Sequence, residues 1–290
     1  MKIKWMVAIT SYILLLWLPG YAQSLSRELN ISIFPCTDAA NSFRKFHSLA
    51  VYLQQSSGLK ISLVFHDDLA SYERALKNGN LDFAIQDPHV YVKLADKYNN
   101  ACILQALTLD QKTTQSGVVI VRKDSGLKCI MDLKDKTVMF GPKLSSPRWI
   151  AARNIFEKNG LQLDRDLRDF SNRGCCEDVA FNVFLNVVDA GVVCDHFLQE
   201  QDNRQPELGL DTRQLIVVAV TDQVPTKIFS AGKYVRADDI VTITRALIHL
   251  DLRNSEHRRI LENADLGGFR NLSAQDLSQI RESLARMQVN

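Results

Sequence analysis

The segment ALKNGNLDFAIQDPHVYV at residues 75–92 is echoed by VFLNVVDAGVVCDHFL at residues 183–198. In both segments a polar turn precedes an apolar residue and an aspartate, which open a short strand that runs directly into a helix-like stretch. A repeated strand–turn–helix unit indicates two similar α/β lobes, and such lobes bind ligands where strand ends meet helix starts. We therefore expect two lobes that form a clamp, with a ligand cleft between them.

Apolar strands alternate with amphipathic helices along most of the chain, which predicts an α/β fold. We expect each lobe to be a mostly parallel sheet flanked by helices. The polar stretch KDSGLKCIMDLKDK at residues 123–136 interrupts the pattern, and TDQVPTK at residues 221–227 precedes the last apolar strand. These stretches predict hinges near residues 123–128 and 222–227. Lobe 1 would then contain residues 25–125 and 226–290, and lobe 2 residues 126–225.

The first 24 residues have the pattern of a secretory signal. Lys2 and Lys4 precede an apolar run from Trp5 to Leu18, and small residues follow it. The run is short and no stop-transfer charges come after it, which favours cleavage near residues 22–24 over an uncleaved anchor. The first cysteine, Cys36, lies well beyond the apolar run, so the pattern contains no lipid-anchoring cysteine. We predict a soluble periplasmic protein.

The charge of the predicted mature chain is balanced. Removing two signal lysines leaves 33 basic residues against 33 acidic ones. A neutral chain has no electrostatic footprint for nucleic acid, so a nucleic-acid partner is not expected. The cysteine spacing matches no zinc or haem motif, and no metal or other cofactor is expected. We expect a monomer.

The turn FGPKLSSPRWI at residues 140–150 has the pattern of an oxyanion site. A strand that ends at Gly141 and a helix opened by Pro147 should leave free backbone N–H groups beside the hydroxyls of Ser145 and Ser146. Arg148 could add positive charge. The alternative is that Ser146 only caps the helix and that the Arg148 guanidinium is solvated.

Other candidate ligand contacts follow predicted strands. Thr37 comes after the first strand, and Tyr91 lies near the start of a first-lobe helix. His196 in the second lobe matches His89 in the echo, and both should lie beside the cleft. Core packing is an alternative role for Tyr91. Asp82 and Asp189, the most evident match in the echo, should brace backbone N–H groups at the strand starts.

Three cysteines are expected to lie close together. Cys175 and Cys176 open a predicted helix, and Cys194 ends the strand that follows it. In an exported protein this arrangement predicts a disulfide from Cys194 to Cys175 or Cys176. Free buried thiols are one alternative, and a thiolate nucleophile or soft-metal site is another.

Four segments of the chain resemble the phosphate/phosphonate solute-binding proteins of ABC transporters. They are the run from Phe43 through Tyr91, DLKDKTVMFGPKLSSP at residues 132–147, LNVVDAGVV at residues 185–193 and VRADDIVTITRALIHL at residues 235–250. The resemblance covers nearly all of the chain beyond the signal. It implies a type 2 periplasmic binding fold, a small anionic ligand and an ABC permease in the inner membrane as partner.

The chain departs from that family's pattern at several positions. Gln115 stands where an aromatic residue is usual, Thr226 where a carboxylate is expected, and Leu69 where many members carry tyrosine. Cys176 replaces a histidine, and the Glu177 that follows it matches the family. The resemblance makes Glu177 a candidate ligand contact, whereas the missing groups would pair with the ammonium of an aminophosphonate. A simpler oxyanion or another small acid is therefore expected.

The sequence leaves three functional classes open. A transport binding protein leads, a sensory or accessory periplasmic binding protein for a small acid comes second, and a thiol-dependent enzyme on the same fold comes third. The chain shows no Ser-His-Asp arrangement, paired-carboxylate motif or Walker motif, so we predict that it is not an enzyme.

Overall fold

The computed structural model describes residues 28–33, 39–143, 145–198 and 209–288. The predicted signal, Cys36 and Thr37 lie outside these ranges. None of the helices that the structure describes is long and apolar enough to span a membrane.

Thirteen strands are seen among the described residues. They are β1 Glu28–Ile33, β2 Lys60–Phe65, β3 Phe83–Gln86, β4 Tyr98–Leu107, β5 Thr114–Gln115, β6 Gly117–Arg122, β7 Thr137–Phe140, β8 Asp169–Asn172, β9 Ala190–Cys194, β10 Leu215–Val220, β11 Val224–Pro225, β12 Ile228–Gly232 and β13 Gly268–Asn271.

The helices of the described ranges surround these strands. They are α1 Ala39–Ser57, α2 Leu69–Lys77, α3 Pro88–Lys93, α4 Ala151–Lys158, α5 Leu163–Asp166, α6 Cys176–Phe184, α7 Ala237–Ile248, α8 Ser255–Asn263 and α9 Ala274–Gln288. A π-helical turn at Ser146–Ile150 leads into α4.

Local sequence signals determine where several of these helices begin. Asp68 accepts the backbone N–H of Ser71 and caps α2 in a capping box, whereas Asp87 caps α3 and Pro88 occupies its first turn. Such caps satisfy backbone N–H groups that the first helical turn cannot pair internally.

The strands form two large sheets, one in each lobe. The six-stranded sheet of lobe 1 has the order β13-β4-β12-β3-β1-β2, and the five-stranded sheet of lobe 2 has the order β10-β6-β9-β7-β8. In lobe 1, β1 is parallel to β2 and β3, but β12 is antiparallel to β3 and β4. Three neighbouring strands of each sheet are parallel, as expected, but the strand that arrives from the other lobe runs in the opposite direction, so both sheets are mixed.

The two lobes share one arrangement at the repeated segment. Strand β3 lies between a parallel β1 and an antiparallel β12, and β9 lies between a parallel β7 and an antiparallel β6. Asp82 accepts the backbone N–H of Asn30 at 3.0 Å, and Asp189 accepts that of Thr137 at 2.8 Å. Each aspartate therefore braces the start of the neighbouring parallel strand, as the sequence echo predicted.

The first crossing between the lobes comes earlier than the sequence suggested. Strand β6 pairs with β9 and β10 in the second sheet, so residues 117–122 belong to lobe 2. The crossing lies near β5, which pairs with β11 in a two-stranded ribbon between the sheets. The predicted hinge at residues 123–128 and the lobe 1 boundary at residue 125 are therefore wrong. The return at residues 222–227 agrees with this ribbon.

Separate apolar cores support the two lobes. The main core of lobe 1 packs α1, α7 and α8 against its sheet, with Phe83 and Phe229 stacked at 5.4 Å between ring centroids. The core of lobe 2 centres on Phe140, which contacts the rings of Trp149, Phe156 and Phe170.

Candidate functional site

A cleft lies between the two sheets and is lined by residues from both lobes. It opens at the carboxyl ends of β1, β3, β7 and β9, where α/β lobes place their ligands. Its charged and polar lining includes Lys45, Asp87, Ser145, Arg148, Glu177, His196, Lys227 and Asp265. Its apolar lining includes Ile33, Phe46, Ile85, Leu107, Leu109, Phe197 and Leu266.

The predicted oxyanion turn already holds a carboxylate of the protein. The Ser146 backbone N–H donates to Asp87 Oδ2 at 3.0 Å, and the Ser146 hydroxyl donates to Asp87 Oδ1. Ser145 N–H donates to the Pro142 carbonyl, and Arg148 N–H to the Ser145 hydroxyl. The expectation of free N–H groups is therefore wrong, because Asp87 of lobe 1 and the turn itself accept their hydrogen bonds.

This contact joins the two lobes. Asp87 follows β3 in lobe 1, whereas Ser146 lies in the π-helical turn of lobe 2. Asp87 also accepts the backbone N–H of His89 at 3.3 Å. Burial raises the pKa of Asp87, although the hydrogen bonds from Ser146 and His89 oppose that rise. Ser146 is fully buried and does not line the cleft, so it acts on the cleft through Asp87.

Arg148 supplies a buried positive charge to the cleft. Its side chain is only 4% exposed, and its Nη1 donates to the Gly174 carbonyl at 3.0 Å. A Cβ atom at Gly141 would lie 2.9 Å from Arg148 Cζ, so glycine leaves the room that the guanidinium occupies. The guanidinium is thus held at the end of β7, and the alternative that it is simply solvated is wrong.

Lys227 brings a second positive charge from the opposite lobe. It follows β11, and its ammonium lies 5.9 Å from the centroid of the Phe46 ring. The charges of Lys227 and Arg148 both act on the Cys194 thiol. The two cations therefore face one region of the cleft from different lobes.

A third cation is paired with carboxylates. Lys45 on α1 lies 2.7 Å from Asp265 of its own lobe and 3.2 Å from Glu177 of lobe 2. Burial lowers and the two carboxylates raise the pKa of Lys45, and the net shift is upward. Burial raises the pKa of Glu177, but the Lys45 charge and a Cys175 hydrogen bond bring it below its usual value. This ion-pair cluster is a further polar contact between the lobes.

The three neighbouring cysteines are free thiols, and the predicted disulfide is not formed in this structure. Cys175 caps α6, and its thiol donates a hydrogen bond to the Asp178 carboxylate. Burial raises the pKa of Cys175. Cys176 Sγ instead accepts the backbone N–H of Cys194 at 3.3 Å. Of the two pairings predicted from the sequence, the structure favours Cys176 with Cys194. Within the described ranges, no three His, Cys, Asp or Glu side chains are grouped to hold a metal ion.

The structure brings together most of the other predicted contacts but not Tyr91. Ser145, Arg148, Glu177 and His196 line the cleft. Tyr91 is 1% exposed and stacks on Tyr98 in the lobe 1 core, so its predicted role in the site is wrong and the packing alternative holds. The reason is that Tyr91 lies on the face of α3 that packs against the sheet.

Three positions where the chain departs from the family pattern line the cleft. They are Gln115, Cys176 and Thr226. The Thr226 hydroxyl donates to backbone carbonyls in the lobe-crossing region, so it braces the hinge. None of the three carries the carboxylate or imidazole that could balance a ligand ammonium.

Sequence reasoning missed Lys45, Asp87, Lys227 and Asp265 as cleft residues. Asp87 had a signal, because it directly follows a predicted strand at a helix start, where ligands bind. Lys227 is the last residue of the predicted return segment, which is also a typical cleft position. Lys45 and Asp265 are joined only by long-range contacts across 220 positions, which no local pattern reveals.

The fold and the cleft define a two-lobed binding protein of the periplasmic type. The chain matches the family model of phosphonate periplasmic substrate-binding proteins of ABC transporters over residues 31–277. It therefore belongs to this family, as the sequence resemblance predicted. The family binds a small ligand, resides in the periplasm and works with a membrane permease.

Solved structures share the same fold. A phosphonate-transporter binding protein from Pseudomonas aeruginosa gives a TM-score of 0.72 at 16% identity, covering 91% of this chain and 97% of that chain. PhnD1 from Prochlorococcus marinus, solved with methylphosphonate, gives 0.75 at 14% identity, covering 90% and 98%. A Xanthomonas citri protein bound to chloride gives 0.66 at 16% identity, with the same two coverages.

Proposed function

We propose that this protein binds a small organic oxyanion, of the alkylphosphonate class, between Arg148 and Lys227 and presents it to an ABC permease. The observation that carries the proposal is the pair of cations that approach one region of the cleft from opposite lobes. An anion held by both would draw the lobes together, which is how a clamp couples binding to closure.

The energetics favour an anionic ligand. Arg148 is nearly buried, so an oxyanion that meets its guanidinium is screened less than one at an open surface. Charge-assisted hydrogen bonds from guanidinium to oxyanion are among the strongest polar contacts in proteins. Ser145 and His196 line the same cleft and are candidates for further hydrogen bonds.

The other residues that line the cleft favour a ligand with an alkyl substituent over one with an amine. Phe46, Ile85 and Phe197 supply apolar surface for a small hydrocarbon substituent. Three carboxylates of the lining could meet an ammonium, but Glu177 and Asp265 are already paired with Lys45, and Asp87 already accepts hydrogen bonds from Ser146. An aminoalkyl chain would have to break that cluster, so we expect alkylphosphonate to bind more tightly than 2-aminoethylphosphonate.

In this proposal the protein is an exported, non-catalytic monomer. The leading peptide is removed on export, and the cleft binds its ligand without transforming it. A calorimetric titration tests this. It should show the heat of binding and no heat of a reaction, and the ligand should be recovered unchanged at the end.

A ligand panel tests the proposal. Methylphosphonate, 2-aminoethylphosphonate, phosphate, methanesulfonate and acetate are titrated into the protein by isothermal calorimetry, after a thermal-shift screen. Arg148→Gln and Lys227→Gln should each weaken methylphosphonate binding by about 10- to 150-fold, since each removes a charged partner worth about 1.5–3 kcal/mol.

Matched controls exclude a general effect of charge. Arg153→Gln removes a guanidinium from the exposed face of α4, and Lys233→Gln removes an exposed lysine from lobe 1. Both variants should bind as the native chain does. Binding restricted to neutral or cationic compounds would refute the proposal, as would anion binding that survives both cleft substitutions.

A further inference from the structure

Two cysteines of lobe 2 are in contact at the wall of the cleft. Cys176 is the first residue of α6, and Cys194 is the last residue of β9. The Cys194 backbone N–H donates to Cys176 Sγ at 3.3 Å, which places the two cysteines side by side. Both residues line the cleft and neither is fully buried.

The surroundings of Cys176 favour its thiolate. The pKa of Cys176 is lowered to about 6, because the Cys194 thiol donates to it and because the positive charge of Arg148 lies nearby. The same contact raises the pKa of Cys194, which keeps its proton. Thiolate, rather than thiol, is the nucleophile in disulfide exchange, so the pair contains one reactive and one resolving sulfur.

The other described cysteines lack this combination. Cys175 is buried and hydrogen-bonded to Asp178, and Cys102 is buried beside Thr244. Cys129 is exposed and lies away from the cleft. A small molecule that enters the cleft therefore meets Cys176 and Cys194 together and, of the cysteines in the described ranges, only these two as a contacting pair.

We propose that Cys176 and Cys194 form a reversible redox-modification site that exchanges with small disulfides entering the cleft. The proposal stands on the 3.3 Å contact between the Cys194 backbone and Cys176 Sγ, and on the position of both cysteines beside Arg148 in the lining of the cleft. It does not depend on which oxyanion the cleft binds.

The exchange proceeds in two balanced steps. The Cys176 thiolate attacks one sulfur of a disulfide RS–SR, forming a Cys176–SR bond and releasing RS⁻. Cys194 then loses its proton to RS⁻ or water, and its sulfur attacks Cys176 Sγ, forming the Cys176–Cys194 bond and releasing the second RS⁻. The two protein thiols are oxidised by two electrons, and the small disulfide is reduced to two thiols.

The test uses the reduced full-length mature protein and oxidised glutathione as the probe. Intact mass should fall by two hydrogen atoms with no glutathione retained, and peptide mapping should locate the bond between Cys176 and Cys194. Dithiothreitol should restore both thiols. Cys194→Ser should instead trap one glutathione on Cys176, because the resolving thiol is gone.

Control variants separate this site from general thiol reactivity. Cys175→Ser and Cys129→Ser should form the same disulfide at the native rate. Retention of all thiols by the native chain, or a bond mapped to any other pair of cysteines, would overturn the proposal. Mapping of the native chain decides the matter even where a variant folds poorly.

Discussion

Breaking the hydrogen bond between Ser146 and Asp87 should destabilise the contact between the two lobes. Ser146 is fully buried, and both its backbone N–H and its hydroxyl donate to the Asp87 carboxylate. Ser146→Ala removes the hydroxyl bond and keeps the N–H bond. Asp87→Ala removes both bonds and leaves a buried N–H without its acceptor.

The expected magnitude follows from the charge and burial of the acceptor. A hydrogen bond to an ionised group contributes about 1.5–3 kcal/mol, and an unpaired buried donor costs about 1–3 kcal/mol. We therefore expect Ser146→Ala to lower the free energy of unfolding by about 2 kcal/mol. The coupling energy between the two substitutions should also be about 2 kcal/mol, because residues in direct contact are not additive.

The assay is a double-mutant cycle measured by urea unfolding. Trp149 lies in the π-helical turn and is the single tryptophan after residue 24, so its fluorescence reports on this region. A double-mutant cycle on Thr137 and Asp189 serves as the matched control, because the Thr137 hydroxyl donates to the Asp189 carboxylate at 2.8 Å within lobe 2. Small-angle scattering should show a larger radius of gyration for Ser146→Ala and no change for Thr137→Ala.

One outcome would refute this reasoning. A coupling energy below about 0.5 kcal/mol for Ser146 and Asp87, together with a normal value for the control pair, would mean that the contact does not hold the lobes.

Three further predictions concern protonation and the ion-pair cluster. Burial raises the pKa of Asp87, so the stability that its protonated form provides is present below the ordinary carboxyl pKa and is lost as pH rises through the raised pKa. In urea unfolding, Asp87→Asn should therefore become more stable relative to the native chain as pH rises over that interval; a pH-independent difference would contradict this. Alkylation of Cys176 by iodoacetamide, followed by mass spectrometry, should accelerate through about pH 6, where its thiol ionises beside Cys194; a midpoint near that of free cysteine would be the contrary result. The pKa of Glu177 is lowered in the folded protein, so its ionised carboxylate contributes stability above the ordinary pKa of a glutamate, and that contribution is lost as pH falls through the lowered pKa. Lys45→Met should therefore lower the melting temperature at neutral pH and much less in acid. An equal loss at both pH values would exclude the ion pair as the cause.

Local sequence patterns predicted the parts of the fold that depend on neighbouring residues. The echo around Asp82 and Asp189 could be recognised because each aspartate directly precedes a strand, and each accepts a backbone N–H of the parallel strand beside it. Strand direction was not readable in the same way. Strands β6 and β12 are short apolar runs like their parallel neighbours, and nothing in such a run tells which way it enters the sheet.

The site was predicted in part, for the same physical reason. Arg148 and Ser145 belong to one turn, whose strand end and helix start are visible in sequence. Asp87 occupies that turn from 59 positions earlier, and Glu177 meets Lys45 across 132 positions. Contacts between lobes depend on how the lobes close, which no local spacing encodes.

The central claim is that an oxyanion lies between Arg148 and Lys227. Methylarsonate has the shape and charge of methylphosphonate, and its arsenic atom scatters anomalously. A crystal of the protein grown with methylarsonate should show one anomalous peak in the cleft, within hydrogen-bonding reach of the Arg148 guanidinium and facing the Lys227 ammonium. A peak outside the cleft, or tight binding in solution with the arsenic remote from both cations, would contradict the account.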